Sequence, residues 1–182
     1  MIYPIVAYGN PILKKEAVEI NEGEDIKGLI KDMFETMEKA SGVGLAAPQI
    51  NKGLRLFVVD SNLMIEEGSG EKGVRQAFIN PIILDEYGEE YSFEEGCLSI
   101  PEIRAEIIRP EKLTIEYFDE DWNLHEEEFS GMTARVIQHE YDHLEGILFI
   151  DYLKGLKKRM VKGKLMEISK GKIATDYRML YP

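Results

Sequence analysis

His139 and His143 stand four residues apart, with Glu140 directly after the first, in the run Gln138-His139-Glu140-Tyr141-Asp142-His143. On an α-helix, residues at i and i+4 stack on one face, so the two imidazoles can reach a single ion. Glu140 can then lean over the ion's open position without binding it. That is the chemical content of the HExxH pattern: two ligands, and a carboxylate to move a proton at a water. Ala134, Ile137 and Tyr141 share one side by the same spacing, which predicts a helix over 132–144 with an apolar side. Gly146 is placed to end it as a C-terminal cap. Tyr141 reads as core. Asp142 either holds an imidazole or an arginine, or faces solvent.

A third ligand is needed, and the chain offers few. Downstream the only glutamates are Glu145 and Glu167, and there is no histidine. Glu145 is too close along the same helix, and Glu167 lies among lysines. Upstream, Glu94-Glu95-Gly96-Cys97-Leu98-Ser99 contains the only cysteine. A thiolate with two imidazoles leaves the fourth position of a tetrahedral site open. Two other fates are open to a lone cysteine: a small buried hydrophobe, or a catalytic thiol paired with a histidine. The flanking Glu95, Gly96 and Ser99 favour a loop over a core strand.

Around this centre the pattern is mixed. Ile26, Leu29, Ile30, Met33, Phe34 and Met37 recur at helical spacing, predicting a first helix over 25–39 that ends at Ser41-Gly42. Strands are expected at 54–60, 77–87, 102–109, 113–118 and, after turn residues 119–123, at 124–129. A third helix is expected over 154–169. The fold class is therefore α+β: antiparallel, partly wrapped β-sheets around a central metal-binding helix, with a C-terminal helix. With 182 residues, 44% of them hydrophobic, and no repeat or linker, one domain over 1–182 is expected. The helix at about 154–170 is its basic extension.

The lone cysteine suits a reducing compartment. The first ten residues carry no basic-then-apolar signal, and no run approaches the roughly 20 apolar residues of a membrane span. A cytoplasmic protein with no membrane partner is expected. The net charge of −12 argues against sequence-specific nucleic-acid binding, and no phosphate-cradling glycine loop is present. The charge is uneven. Residues 151–182 hold nine Lys or Arg against three Asp or Glu, so that stretch is +6 and the remainder −18. Such a segment is a docking element for an anionic partner or a solvated amphipathic helix.

Three segments, in this order, resemble the peptide deformylase family. Gly42-Val43-Gly44-Leu45-Ala46-Ala47-Pro48-Gln49 matches its GxGLAAxQ motif. Glu95-Gly96-Cys97-Leu98-Ser99 matches EGCLS, and Gln138-His139-Glu140-Tyr141-Asp142-His143-Leu144-Glu145-Gly146 matches QHExDHLxG. Weaker likeness extends to Gly9-Asn10-Pro11-Ile12-Leu13, so the resemblance covers about residues 1–170.

The resemblance implies hydrolysis of the N-formyl group from the initiator methionine of nascent polypeptides, with release of formate. Cys97, His139 and His143 would hold Fe²⁺, with Zn²⁺, Ni²⁺ or Co²⁺ able to substitute; the ligand set alone points to zinc. Glu140 would take a proton from water and pass it to the leaving amine. The Gln49 side-chain amide and the Leu98 backbone N–H would steady the developing oxyanion. Gly44 would let the backbone approach the substrate. Val43, Val136 and His139 would line the methionine pocket, and Arg104 would contact peptide backbone. The basic helix would dock on the ribosome, so deleting 154–182 is expected to weaken that binding while sparing short formyl peptides. Two rivals remain at this level. One is a metallopeptidase cleaving internal bonds, with a third ligand other than Cys97. The other is a silent binder of formylated N-termini, against which Glu140 and Gln49 count.

Overall fold

The computed structural model describes residues 1–182. Strand β1 (Ile5–Val6) is followed by helix α1 (Lys27–Lys39), then by strands β2 (Gly44–Ala46), β3 (Leu56–Asp60), β4 (Arg75–Cys97), β5 (Ile100–Phe118) and β6 (Leu124–Ser130). Helices α2 (Gly131–Leu144) and α3 (Gly155–Ser169) come next, and β7 (Met179–Leu180) closes the chain. Strands β2 to β6 form one antiparallel sheet in chain order. The α+β class and the central helix are as the pattern implied.

Two strands are far longer than expected. β4 runs for 23 residues, and β5 for 19 where two shorter strands were read. Pro81, Gly88 and Pro110 lie inside these strands, and the ladder absorbs them. Register shifts fall between Ile79 and Ile82 and between Tyr87 and Glu90, which pairs with Pro110. A bulge is where a strand tolerates a residue that cannot donate to the ladder. The result is a long hairpin whose far end carries Cys97.

Helix α2 lies against the sheet because its apolar side matches the sheet's. Ala134, Ile137 and Leu144 pack with Phe57, Phe78, Leu113 and Ile115. On another side, α1 buries Ile30, Met33 and Met37 against Leu45, Leu56, Val58 and Ile79. Ile100, Ile103 and Ile107 form a third cluster with Phe149 and with Leu165 and Ile168 of α3. The C-terminal helix is thus basic outside and anchored in the core inside.

Gly146 ends α2 as its sequence position suggested. Its φ is +70°. The N–H of Ile147 donates to the Asp142 carbonyl at 2.9 Å and that of Gly146 to His143 at 3.4 Å, a Schellman closure. A Cβ here would also lie 2.7 Å from the Lys14 carbonyl oxygen. The turn carrying His143 is therefore held by its own cap. No helix is long and apolar enough to cross a membrane.

Candidate metal centre

The end of the long hairpin meets the middle of α2. Cys97 is the last residue of β4 and pairs with Ile100 across the two-residue turn Leu98-Ser99. It sits on a strand end, not in the loop its polar neighbours suggested, because the ladder shifts register after Gly96 and still pairs Cys97 with Ile100. Its sulfur, one nitrogen of His139 and one of His143 all lie within 4.8 Å of one another, with Cys97 Sγ 3.3 Å from His143 Nε2. One thiolate and two imidazoles converging in this way fit a divalent transition metal. Glu145, by contrast, is turned away and pairs with Arg55 at 2.7 Å.

Behind the ligands lies a buried charge network. His139 Nδ1 stands 3.0 Å from Glu95 Oε1, and a proton on Nδ1 leaves Nε2 free as a ligand atom. Arg109 grips the same carboxylate twice, at 2.7 and 2.9 Å, and Arg135 donates to it at 2.8 Å. Arg109 also reaches Asp142 at 2.9 Å, and Tyr152 donates to Asp142 at 2.9 Å. Of the alternatives for Asp142, the arginine partner is the one observed. Burial alone would raise Glu95, but the hydrogen bonds from His139 and Arg109 outweigh it and hold the carboxyl down at about 2. Burial pushes Asp142 up, with Arg109 opposing. Arg109 and Arg135 were not singled out from the sequence. Arg135 lies four residues before His139, a spacing that could have flagged it.

Glu140 is buried facing the same space, and one carboxylate oxygen has no hydrogen-bond partner. Burial pushes its carboxyl up to about 7 against the pull of His139. Such a group can both accept and return a proton near neutrality. Gly44 makes room for it: a Cβ there would lie 2.4 Å from Glu140 Oε1. The need for glycine thus comes first from the carboxylate, a different reason from close substrate approach. Gln49 is oriented by its own turn. Its Oε1 accepts the Ala46 N–H at 2.9 Å, which aims Nε2 at Cys97 Sγ (3.4 Å) and Ser99 Oγ (3.3 Å). It stands beside the ligands as a donor.

These groups open on a cavity of about 640 Å³. Val43, Gly44, Gln49, Cys97, Leu98, Val136, His139 and Glu140 line it, with Arg104 at the rim. Arg104 is exposed and bridges to Glu94 at 3.1 Å. The sequence reading missed the far wall, where residues 174–177 of the C-terminal tail close one side.

Comparison with known proteins agrees with this geometry. The family model described as polypeptide deformylase matches residues 2–159. The chain belongs to the polypeptide deformylase family. Peptide deformylase from Cytophaga hutchinsonii is 58% identical over 100% of this chain and 98% of that protein. The Christiangramia forsetii protein is 52% identical over 100% and 97%. Among solved structures, peptide deformylase from Legionella pneumophila superposes with a TM-score of 0.81 at 37% identity, covering 94% of this chain and 98% of that one. That from Ehrlichia chaffeensis gives 0.85 at 31%, covering 96% and 100%. Family enzymes depend on a metal, which the convergence of Cys97, His139 and His143 suits.

Gly44→Ala tests the packing of Glu140. The added methyl displaces the carboxylate, so kcat should fall at least about 100-fold, the lower range for losing a positioned acid–base group. Metal content should stay at the wild-type level. Full activity in the variant would mean that the carboxylate needs no such cradle.

Proposed function

We propose that Cys97, His139 and His143 hold one Fe²⁺, exchangeable for Zn²⁺, Ni²⁺ or Co²⁺, at the heart of a hydrolase. The family removes the N-formyl group from nascent peptides, and this chain is a hydrolase acting on N-formyl-methionyl peptides. The observation that carries the site assignment is the meeting of the three ligand atoms beside a buried Glu140 and an oriented Gln49 amide. A cation bound there supplies Lewis acidity, which acidifies water and polarises a carbonyl oxygen.

The chain's own groups do the rest. Glu140 takes a proton from water as it attacks the formyl carbon, and hands it to the departing amine nitrogen. Gln49 Nε2 and the Leu98 N–H donate to the oxygen that gains charge, where losing one donor costs about 3–4 kcal/mol of barrier. β2 is the edge strand of its sheet, so its outer side is free to pair with an extended peptide near Gly44. Val43 and Val136 give the methionine side chain an apolar wall, and Arg104 at the rim suits a peptide carbonyl. Residues 1–182 work as one domain in this reading, supported by α3 sharing a core cluster with β5. The cytoplasm is its proposed place, since a free thiol at the centre needs reducing conditions.

Glu140→Ala decides the chemistry. With formyl-Met-Ala-Ser and anaerobically prepared iron enzyme, wild type should release formate, and the variant should lose at least about 100-fold in rate while keeping its metal. Comparable rates in the two proteins would remove Glu140 from the mechanism.

The basic helix supports a ribosome as anionic partner, because Lys157, Lys158, Arg159 and Lys162 are all exposed. Deleting 154–182 is the wrong test, since Leu165 and Ile168 are buried in the core. Replacing those four residues by Glu should weaken salt-sensitive cosedimentation with ribosomes and leave formate release from short peptides intact. Unchanged cosedimentation would sink the docking role.

A further inference from the structure

The family-model match ends at residue 159, yet the chain returns to the metal centre after it. Beyond α3, residues 174–177 reach the cavity wall beside Cys97 and Leu98. The return is held by β7, whose Met179 and Leu180 pair in parallel with Ile5 and Val6 of β1. Ile5 N–H donates to the Arg178 carbonyl and Ala7 N–H to that of Leu180, each at 2.8 Å. Thr175 Oγ1 donates to the Tyr177 carbonyl at 2.6 Å, tightening the run just before the strand.

With its backbone fixed in this way, half-buried Tyr177 sends its phenol to the Leu98 carbonyl at 2.8 Å. The next carbonyl of the same turn, that of Ser99, accepts the Tyr8 N–H at 2.9 Å. Both carbonyls of the Leu98-Ser99 turn are therefore held from outside. One is held by the C-terminal tail and the other by the segment after β1, and β1 and β7 hold each other. The side chains of the turn are also held, Ser99 by Gln49 Nε2 at 3.3 Å and Leu98 by the α1 core cluster, but in its own ladder the backbone of Leu98 is constrained only through Cys97 and Ile100.

An amide that stabilises developing charge works only while it is already aimed at that charge. Small errors of placement in such groups cost disproportionate rate. We propose that Tyr177 is a positioning residue for deformylation: by holding the Leu98 carbonyl it keeps the Leu98 N–H aimed at the reacting oxygen. The inference rests on the reading of Leu98 as a donor in that reaction. The Tyr177 hydroxyl is engaged with the Leu98 carbonyl, so removing it while the ring stays on the cavity wall should weaken transition-state stabilisation and leave ground-state binding of the peptide nearly as it was.

The test compares metal-loaded wild type, Tyr177→Phe and Tyr181→Phe with formyl-Met-Ala-Ser as substrate. Tyr181 packs in the same tail against the cluster around Phe149 and Ile168, so it reports a purely structural effect. Tyr177→Phe should lower kcat roughly 5- to 10-fold, the factor carried by one hydrogen bond. KM and metal content should match wild type, the melting temperature should stay within a few degrees, and Tyr181→Phe should behave as wild type. An unchanged kcat in Tyr177→Phe overturns the proposal. So does a fall that merely tracks lost metal or melting temperature, or an equal fall in Tyr181→Phe. A wild type that releases no formate overturns the functional reading itself and this inference with it, a result distinct from the others.

Discussion

A single buried carboxylate, that of Glu95, joins the two halves of the metal centre. It sits two residues before Cys97 on β4 and accepts from His139 of α2, so the strand that brings the thiolate also orients an imidazole. Arg109 and Arg135 neutralise it from β5 and α2, and Asp142 takes a further hydrogen bond from Arg109. All four groups are nearly out of reach of water. Such a cluster is costly to assemble, and its value lies in geometry more than in net stability, since removing one member strands the others. With Glu95 held at about 2, the carboxylate stays ionised throughout the neutral range, and His139 keeps one tautomer.

The candidate ligands therefore come from elements that pack for ordinary reasons. Helix α2 is pressed on the sheet by Ala134, Ile137 and Leu144, and its opposite side presents Arg135, His139 and Glu140 inward to the hairpin. The hairpin reaches that far because bulges let β4 and β5 pass their glycine and prolines without stopping. Space for Glu140 exists because Gly44 has no side chain. The geometry of this centre is thus a product of packing on three neighbouring elements.

The helices were legible in the sequence because a 3.6-residue apolar period and a terminal glycine act locally. His139, His143 and Glu140 were legible for the same reason. Cys97 stood out as a ligand candidate through its motif, though its strand-end setting could not be read, since Glu95 and Gly96 look like loop residues until the register shift is known. Arg109 was hidden because a charged residue in a strand ordinarily faces water, and only the fold reveals the carboxylate opposite it. The β1–β7 pair was out of reach entirely: two residues at each end of the chain carry no period, and their pairing exists only once the core brings the termini together. Gln49 was recognisable from its motif, while its orientation depends on the Ala46 N–H three residues before it.

Glu95 is placed to govern metal binding through His139, and the metal affinity of folded Glu95→Gln, by chelator competition beside wild type, tests this. An amide in that place cannot satisfy two guanidiniums and an imidazole N–H together. Binding should weaken by about 10- to 100-fold, as for other lost partners of ligating histidines. Stability of the metal-free protein should also fall by about 3–5 kcal/mol. Wild-type affinity in the variant would contradict this role and leave Cys97, His139 and His143 as a centre that needs no carboxylate behind it.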